Sequence, residues 1–279
     1  MSNKVTVAAI QMTYGLEEAC EKVREAASQG AQIILLPELF ENWYFCQEKS
    51  YENYHLATTL EENPAVREMQ TIARDFKVVI PVSYYERVGE TTFNTVAVID
   101  ADGTIMGQYR KTHIPDDHFY QEKFYFTPGD TGFKVWDTAY AKIGVGICWD
   151  QWFPESARCM ALQGAELLFY PTAIGSEPIL DCDSMPHWRR CMQGHAAANI
   201  MPLIAANRIG TDKPTEDNQH QSSSLTFYGS SFIADETGAL VEQADRENAG
   251  VLTHTFDLDE IREMRRSWGV YRDRRPEMN

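Results

Sequence analysis

Four side chains in this sequence could do chemistry together. Cys148 stands in "GVGICWDQWFPE" (144–155), where a strand pattern stops and Pro154 marks a helix start. Backbone N–H groups at such a start face an anion, so a cysteine there gains thiolate stability. The alternative is a buried structural thiol, with Gly144 and Gly146 present only for packing. Glu38 follows an apolar run and a proline in "LLPELF". Burial would raise its pKa and make it a better base, while capping or ion pairing is the other reading. Lys111 ends a strand pattern in "YRKTHIP", where a solvated charge is the ordinary outcome. Glu122 sits among aromatics in "FYQEKFYFTPG" and can pair with Lys123 or Lys111.

Histidine chemistry has less to offer. No histidine lies within five residues of Cys148. His113 follows Lys111 by two positions and would share its face in a strand. His187, Cys191 and His195 fall on one helix face, a pattern that can bind zinc. The outer pair lie about 12 Å apart along a regular helix, which excludes one ion held by all three. A two-ligand site stays open, but no metal or organic cofactor is expected.

The elements that must position these groups alternate. Strand patterns occur at 5–12, 31–39, 77–86, 91–100, 105–114, 142–148, 165–174, 201–210, 225–235 and 250–259. Helical patterns occur at 17–30, 63–76, 153–164 and 185–199. Asn63 and Pro64 form an N-cap and first turn, and Gly30 a C-terminal stop. Runs such as "IILL" and "LLFY" suit strands buried on both faces. Short links at Gly89 and "DADG" (100–103) predict antiparallel hairpins among 77–111. The class is α/β, a mixed sheet covered by helices. No repeat or composition shift divides the 279 residues, so one domain over 1–279 is expected. "GTDKPTEDNQHQSSS" (210–224) reads as a surface loop.

The net charge of −16 argues against nucleic acid and anionic membrane as partners and favours a cationic small molecule. No apolar stretch approaches the roughly 20 residues of a membrane span. The start lacks a signal peptide's apolar run, and the six scattered cysteines form no CxxC pair. A cytoplasmic protein with free thiols is expected. Arg262, Arg265, Arg266, Arg272, Arg274 and Arg275 are interleaved with acids and read as surface or subunit ion pairs.

Glu38, Lys111 and Cys148 at three strand ends, in that order, resemble the nitrilase (carbon–nitrogen hydrolase) superfamily. The resemblance runs from "VTVAAIQM" to "GVLTHTFDLDEIREMR". It implies a four-layer αββα sandwich and a homo-oligomer, a dimer or a larger assembly of dimers, with 257–279 packing at a subunit interface. It also implies Cys148 as nucleophile, Glu38 as base, Lys111 as oxyanion stabiliser and Glu122 as a fourth group orienting Lys111 and the substrate. The stretches "YPTAIGSEP" (170–178), "HWRRCMQGHAAAN" (187–199) and "AANRIG" (205–210) resemble the branch that hydrolyses N-carbamoylputrescine. Relatives that act on carbamoyl amino acids, ω-amides or nitriles are the alternatives, with a non-catalytic binding protein further off. No arginine follows Cys148 before Arg158, whereas Glu177, Asp181 and Asp183 suit an ammonium tail. Glu177 is the expected ligand of the distal amine, with Ser176, Tyr44 and Trp149 shaping an aromatic slot. A free thiol and a free glutamate differ by about four pKa units, or roughly 5.7 kcal/mol. Burial must therefore raise Glu38, while Lys111 and the helix start must favour the thiolate.

Overall fold

The computed structural model describes residues 3–176, 181–213 and 224–278. The first half runs β1 (Lys4–Gln11), α1 (Leu16–Ser28), β2 (Ile33–Leu35), α2 (Pro64–Phe76), β3 (Ile80–Val88), β4 (Thr91–Ile99), β5 (Ile105–Arg110) and α3 (Glu122–Tyr125). Next come β6 (Val135–Asp137), β7 (Lys142–Val145), α4 (Pro154–Leu162), β8 (Leu167–Pro171) and α5 (Met185–Asn199). Last come β9 (Leu203–Ala206), β10 (Ile209–Asp212), β11 (Leu225–Tyr228), β12 (Phe232–Ala234), β13 (Leu240–Gln243), β14 (Gly250–Asp257) and α6 (Leu258–Trp268).

Side-chain alternation builds the layers. Val7 and Ala9 of β1 face a core shared with Ile143, Val145, Leu167 and Phe169 of β7 and β8. Ala8 and Ile10 face the other way, onto α1 and α2. Leu168 and Tyr170 of β8 likewise pack on α4 and α5. Two sheets thus meet face to face with helices outside each, which is the αββα sandwich. One side is built from β14-β1-β2 and the antiparallel β3-β4-β5, bridged by Ile33 and Val79. The other is β13-β12-β9-β8-β7-β6, parallel at β7-β8-β9. Strands buried on both faces are why "IILL" and "LLFY" carry no alternation in hydropathy.

Local signals held where one residue governs. Asn63 accepts from Val66 N at 2.9 Å and caps α2. The hairpins join β3, β4 and β5 as expected. Differences arise where tertiary geometry bends a strand pattern. The 31–39 stretch keeps only three strand residues, because Pro37 interrupts it and Leu39 turns at φ 50°. The 225–235 stretch splits into β11 and β12 at Gly229 and Ser230, both with positive φ. β6, β13, α3 and α6 carry too short or too polar a pattern to stand out.

Within 257–278 some side chains pack on their own chain, while Trp268 and Met278 are exposed. Leu258 and Ile261 enter the inter-sheet core, and Tyr271 donates to Asn199 O at 2.6 Å. Arg262, Arg266, Arg272 and Arg275 pair with the acids interleaved among them, and Arg262 also reaches Glu166.

Candidate active site

Glu38 lies just beyond β2, in a turn clamped from both sheets. Leu39 N donates to Ser83 Oγ of β3 at 3.0 Å, and Glu38 N donates to Thr172 O, beyond β8. Arg208, itself buried, donates to Leu39 O at 2.8 Å. Lys111 follows β5. Its N–H donates to Asn94 O and its carbonyl accepts from Gly129 N, each at 2.8 Å. A Cβ on Gly129 would lie 2.0 Å from Arg110 O, so only glycine lets the two segments cross. Glu122 opens the single turn of α3.

These three meet in the interior. Lys111 Nζ donates to Glu38 Oε1 at 2.7 Å and to Glu122 Oε2 at 2.5 Å, and all three side chains are wholly buried. Tyr44 Oη donates to Glu122 Oε1 at 2.7 Å, and Asn94 Nδ2 donates to Glu38 Oε1 at 2.7 Å.

Cys148 begins a five-residue 3₁₀ turn, Cys148–Trp152, at φ 41°, a backbone conformation that non-glycine residues seldom adopt. Buried Asp150 holds this turn. Its carboxylate accepts from Ile147 N at 2.9 Å, Tyr109 Oη at 2.7 Å and His113 Nδ1 at 2.7 Å. Behind Cys148, a Cβ on Gly146 would lie 2.6 Å from the Tyr170 ring, so that glycine serves packing. His113 is therefore a support of Asp150, stacked on Phe153 at 3.6 Å, and not a partner of the sulfur.

The charges set the resting state. Burial pushes the Cys148 thiol well up, and Glu38 and Glu122 add to this more than Lys111 offsets it. Burial opposes the Lys111 charge, but Glu122 and Glu38 outweigh it and hold the ammonium well above its ordinary range. Burial, with Glu38 beside it and Lys111 opposing, pushes Glu122 up to about 7. This corrects the expectation of a favoured thiolate. The 3₁₀ turn is too short to carry a strong dipole, and one cation is shared by two carboxylates. The resting sulfur keeps its proton.

Glu122 yields a pH signature. Its folded pKa is raised above its unfolded value, so the folded state holds a proton that the unfolded state releases. That contribution is full below pH 4.5 and is lost as pH rises through about 7. Glu122→Gln should therefore gain stability relative to wild type as pH climbs from 5 to 7. Melting curves across that range check it, and a constant difference would rule it out.

Cys148 and Glu122 open into a cavity of about 330 Å³ walled by Tyr120, Trp149, Trp152 and His187, with Asp116 and Asp117 also lining it. Trp149 stands where the aromatic slot was expected. Tyr44 does not; it is buried behind Glu122, because its hydroxyl is needed on that carboxylate. Ser176 lines an adjoining cavity, its Oγ accepting from Thr226 N at 3.2 Å. Glu177 lies outside the described residues. Asp183 pairs with Arg246 at 2.7 Å on the half-exposed surface. On α5, His195 Nε2 bonds Gln151 O at 2.8 Å while His187 faces the cavity, and no cluster among the described residues could hold a metal ion. Sequence reading missed Asn94, Asp150, Tyr120, Trp152, Asp116 and Asp117. A polar Asn94 inside the strand pattern 91–100 was the available signal.

The carbon–nitrogen hydrolase family model matches residues 6–266. This chain belongs to that family. It is 57% identical to a potato (Solanum tuberosum) protein named N-carbamoylputrescine amidase, over 98% of this chain and 93% of that protein. It is 51% identical to a protein of Francisella tularensis named citrullinase, over 98% and 96%. A solved carbon–nitrogen hydrolase from Helicobacter pylori superposes with a TM-score of 0.91 at 36% identity, over 98% of this chain and 96% of that one. Among the described residues of this chain, no helix is long and apolar enough to cross a membrane.

Proposed function

We propose that this family member hydrolyses N-carbamoylputrescine to putrescine, carbon dioxide and ammonia. The observation that carries this reading is a buried cluster of Glu38, Lys111 and Glu122, electrostatically coupled to Cys148, that reaches an aromatic, carboxylate-lined cavity through Cys148 and Glu122.

The substrate carbamoyl carbon approaches Cys148 Sγ. Because the thiol is protonated at rest, attack and proton transfer to Glu38 proceed together. The C–S bond forms as the carbonyl oxygen gains charge, which Lys111 and the Trp149 N–H stabilise. Glu122 holds Lys111 in place. The C–N bond then breaks, and Glu38 returns the proton to the departing amine of putrescine. A carbamoyl thioester is left on Cys148. Glu38 takes a proton from water, whose oxygen attacks the thioester, and the thiol is restored. The carbamic acid released breaks down to carbon dioxide and ammonia.

The distal ammonium needs acceptors. Asp117 Oδ1 already accepts from His118 N at 2.7 Å, so Asp116 is the better placed acceptor. Asp116→Asn should raise KM for N-carbamoylputrescine about tenfold, as expected for a charge-assisted hydrogen bond, and leave kcat little changed. KM for N-butylurea, which lacks the ammonium, should stay as it was. Equal effects on both substrates would remove Asp116 from this role.

Citrulline is the second reading, favoured by the citrullinase relative. It carries the same carbamoyl group with an added α-carboxylate. No arginine or lysine is found among the described residues lining the cavity, which favours the tail without a carboxylate. Ammonia release from N-carbamoylputrescine, citrulline, N-carbamoyl-β-alanine, glutaramate and an aliphatic nitrile separates these substrates. Turnover of citrulline at an equal or greater kcat/KM would overturn the preference.

A further inference from the structure

Asn94 stands in the middle of β4, between Phe93 and Thr95, with its side chain wholly buried. An amide inside a strand packs poorly and demands partners, so its presence there calls for a reason. Its side chain serves the acid through Nδ2, its Oδ1 accepting from no described group, and its main-chain carbonyl serves the cation's backbone. Asn94 Nδ2 donates to Glu38 Oε1 at 2.7 Å, while Asn94 O accepts from Lys111 N at 2.8 Å. One residue therefore holds the head of the acid and the backbone of the cation.

The two oxygens of Glu38 are not equivalent as a result. Oε1 accepts from both Asn94 Nδ2 and Lys111 Nζ, each at 2.7 Å. Oε2 is buried and accepts from no described group. The lone pairs ready for a proton are those of Oε2. The terminal torsion of a glutamate is soft, so Lys111 alone would not hold the carboxylate plane. We propose that Asn94 is a positioning residue that fixes the carboxylate plane of Glu38 and thereby makes Oε2 the oxygen that takes the Cys148 proton. This rests on Glu38 acting as the base, as set out above. Asn94 does not line the cavity and acts through Glu38.

Two variants test it. Asn94→Asp keeps the shape and replaces the donor with an oxygen; Asn94→Ala removes the group. Each should lower kcat about 10–100-fold while KM stays within about threefold, the range typical of lost general-base efficiency. A second readout needs no substrate. Alkylation of Cys148 by iodoacetamide at pH 7, followed on its own peptide by mass spectrometry, should slow about tenfold, as in Glu38→Gln. If wild type turns over none of the amides tried, the substrate reading falls while the alkylation result still judges Asn94. Rates within about threefold of wild type in either folded variant overturn the proposal, on the same scale of base catalysis. So does a loss confined to KM or to the folded fraction.

Discussion

Cys148→Ala abolishes turnover, by at least about 10⁴-fold, and leaves the fold intact, as expected when a covalent nucleophile is removed. Among the described residues no other thiol combines a place in the cavity with electrostatic contact to both Glu38 and Lys111; Cys46 feels both charges but does not line the cavity. Cys182 also lines the cavity, but it is exposed at the surface. The stability change stays within about 1 kcal/mol, since one sulfur is lost from a site that disfavours its ionised form. The turn itself is held by Asp150, not by the thiol. Ammonia release and thermal melting on the same sample check both halves. Activity within tenfold of wild type would end the covalent mechanism.

Lys111→Met has the second large effect, and it strikes stability and rate together. Methionine matches the length of the lysine stem, so packing changes little. What is lost is the cation between Glu38 Oε1 and Glu122 Oε2. Two buried carboxylates then face each other without compensation. Removing one partner of a buried ion pair costs about 3–5 kcal/mol. For a chain of this size that lowers the melting temperature by roughly 10 °C. Turnover falls about 10²–10³-fold or more, because the developing oxyanion loses its charged donor. Adding Glu122→Gln to Lys111→Met removes one of the repelling charges and should restore much of the stability without restoring activity. If the double variant regains turnover, Lys111 acts only as structural glue. If Lys111→Met melts like wild type, the buried triad is not coupled as described.

Particular residues show how far reading the chain alone reaches. Glu38 and Cys148 were marked by apolar strand patterns that end just before them and Lys111 by a strand end of mixed polarity; alone each left a structural reading open, and their joint role came from the resemblance to the carbon–nitrogen hydrolases. The hairpins of 77–111 were legible because Gly89 and "DADG" are turn chemistry within a few residues. Asn63 announced its cap for the same reason. Tyr44 was placed in the substrate slot on type alone, yet its hydroxyl is turned inward to Glu122 by a contact spanning distant parts of the chain. Asn94 and Asp150 were passed over because the partners that give them meaning, Glu38 for one and Tyr109 and His113 for the other, lie far away in sequence; a polar side chain inside a strand pattern was the one local mark of Asn94.

Local patterning and composition determined the α/β class, the order of acid, cation and thiol along the chain, and the acidic net charge, while the four layers and the catalytic roles came from the resemblance. The class, the order and the charge depend on hydrophobic periodicity, turn residues and charge, each set by near neighbours or by composition. Only the tertiary structure decided that one lysine is shared by two carboxylates, that Glu38 keeps one oxygen free, and that the resting sulfur stays protonated. Proton affinities in a buried cluster follow distance and desolvation among groups brought together by folding. Neither quantity exists until β2, β5 and β7 converge.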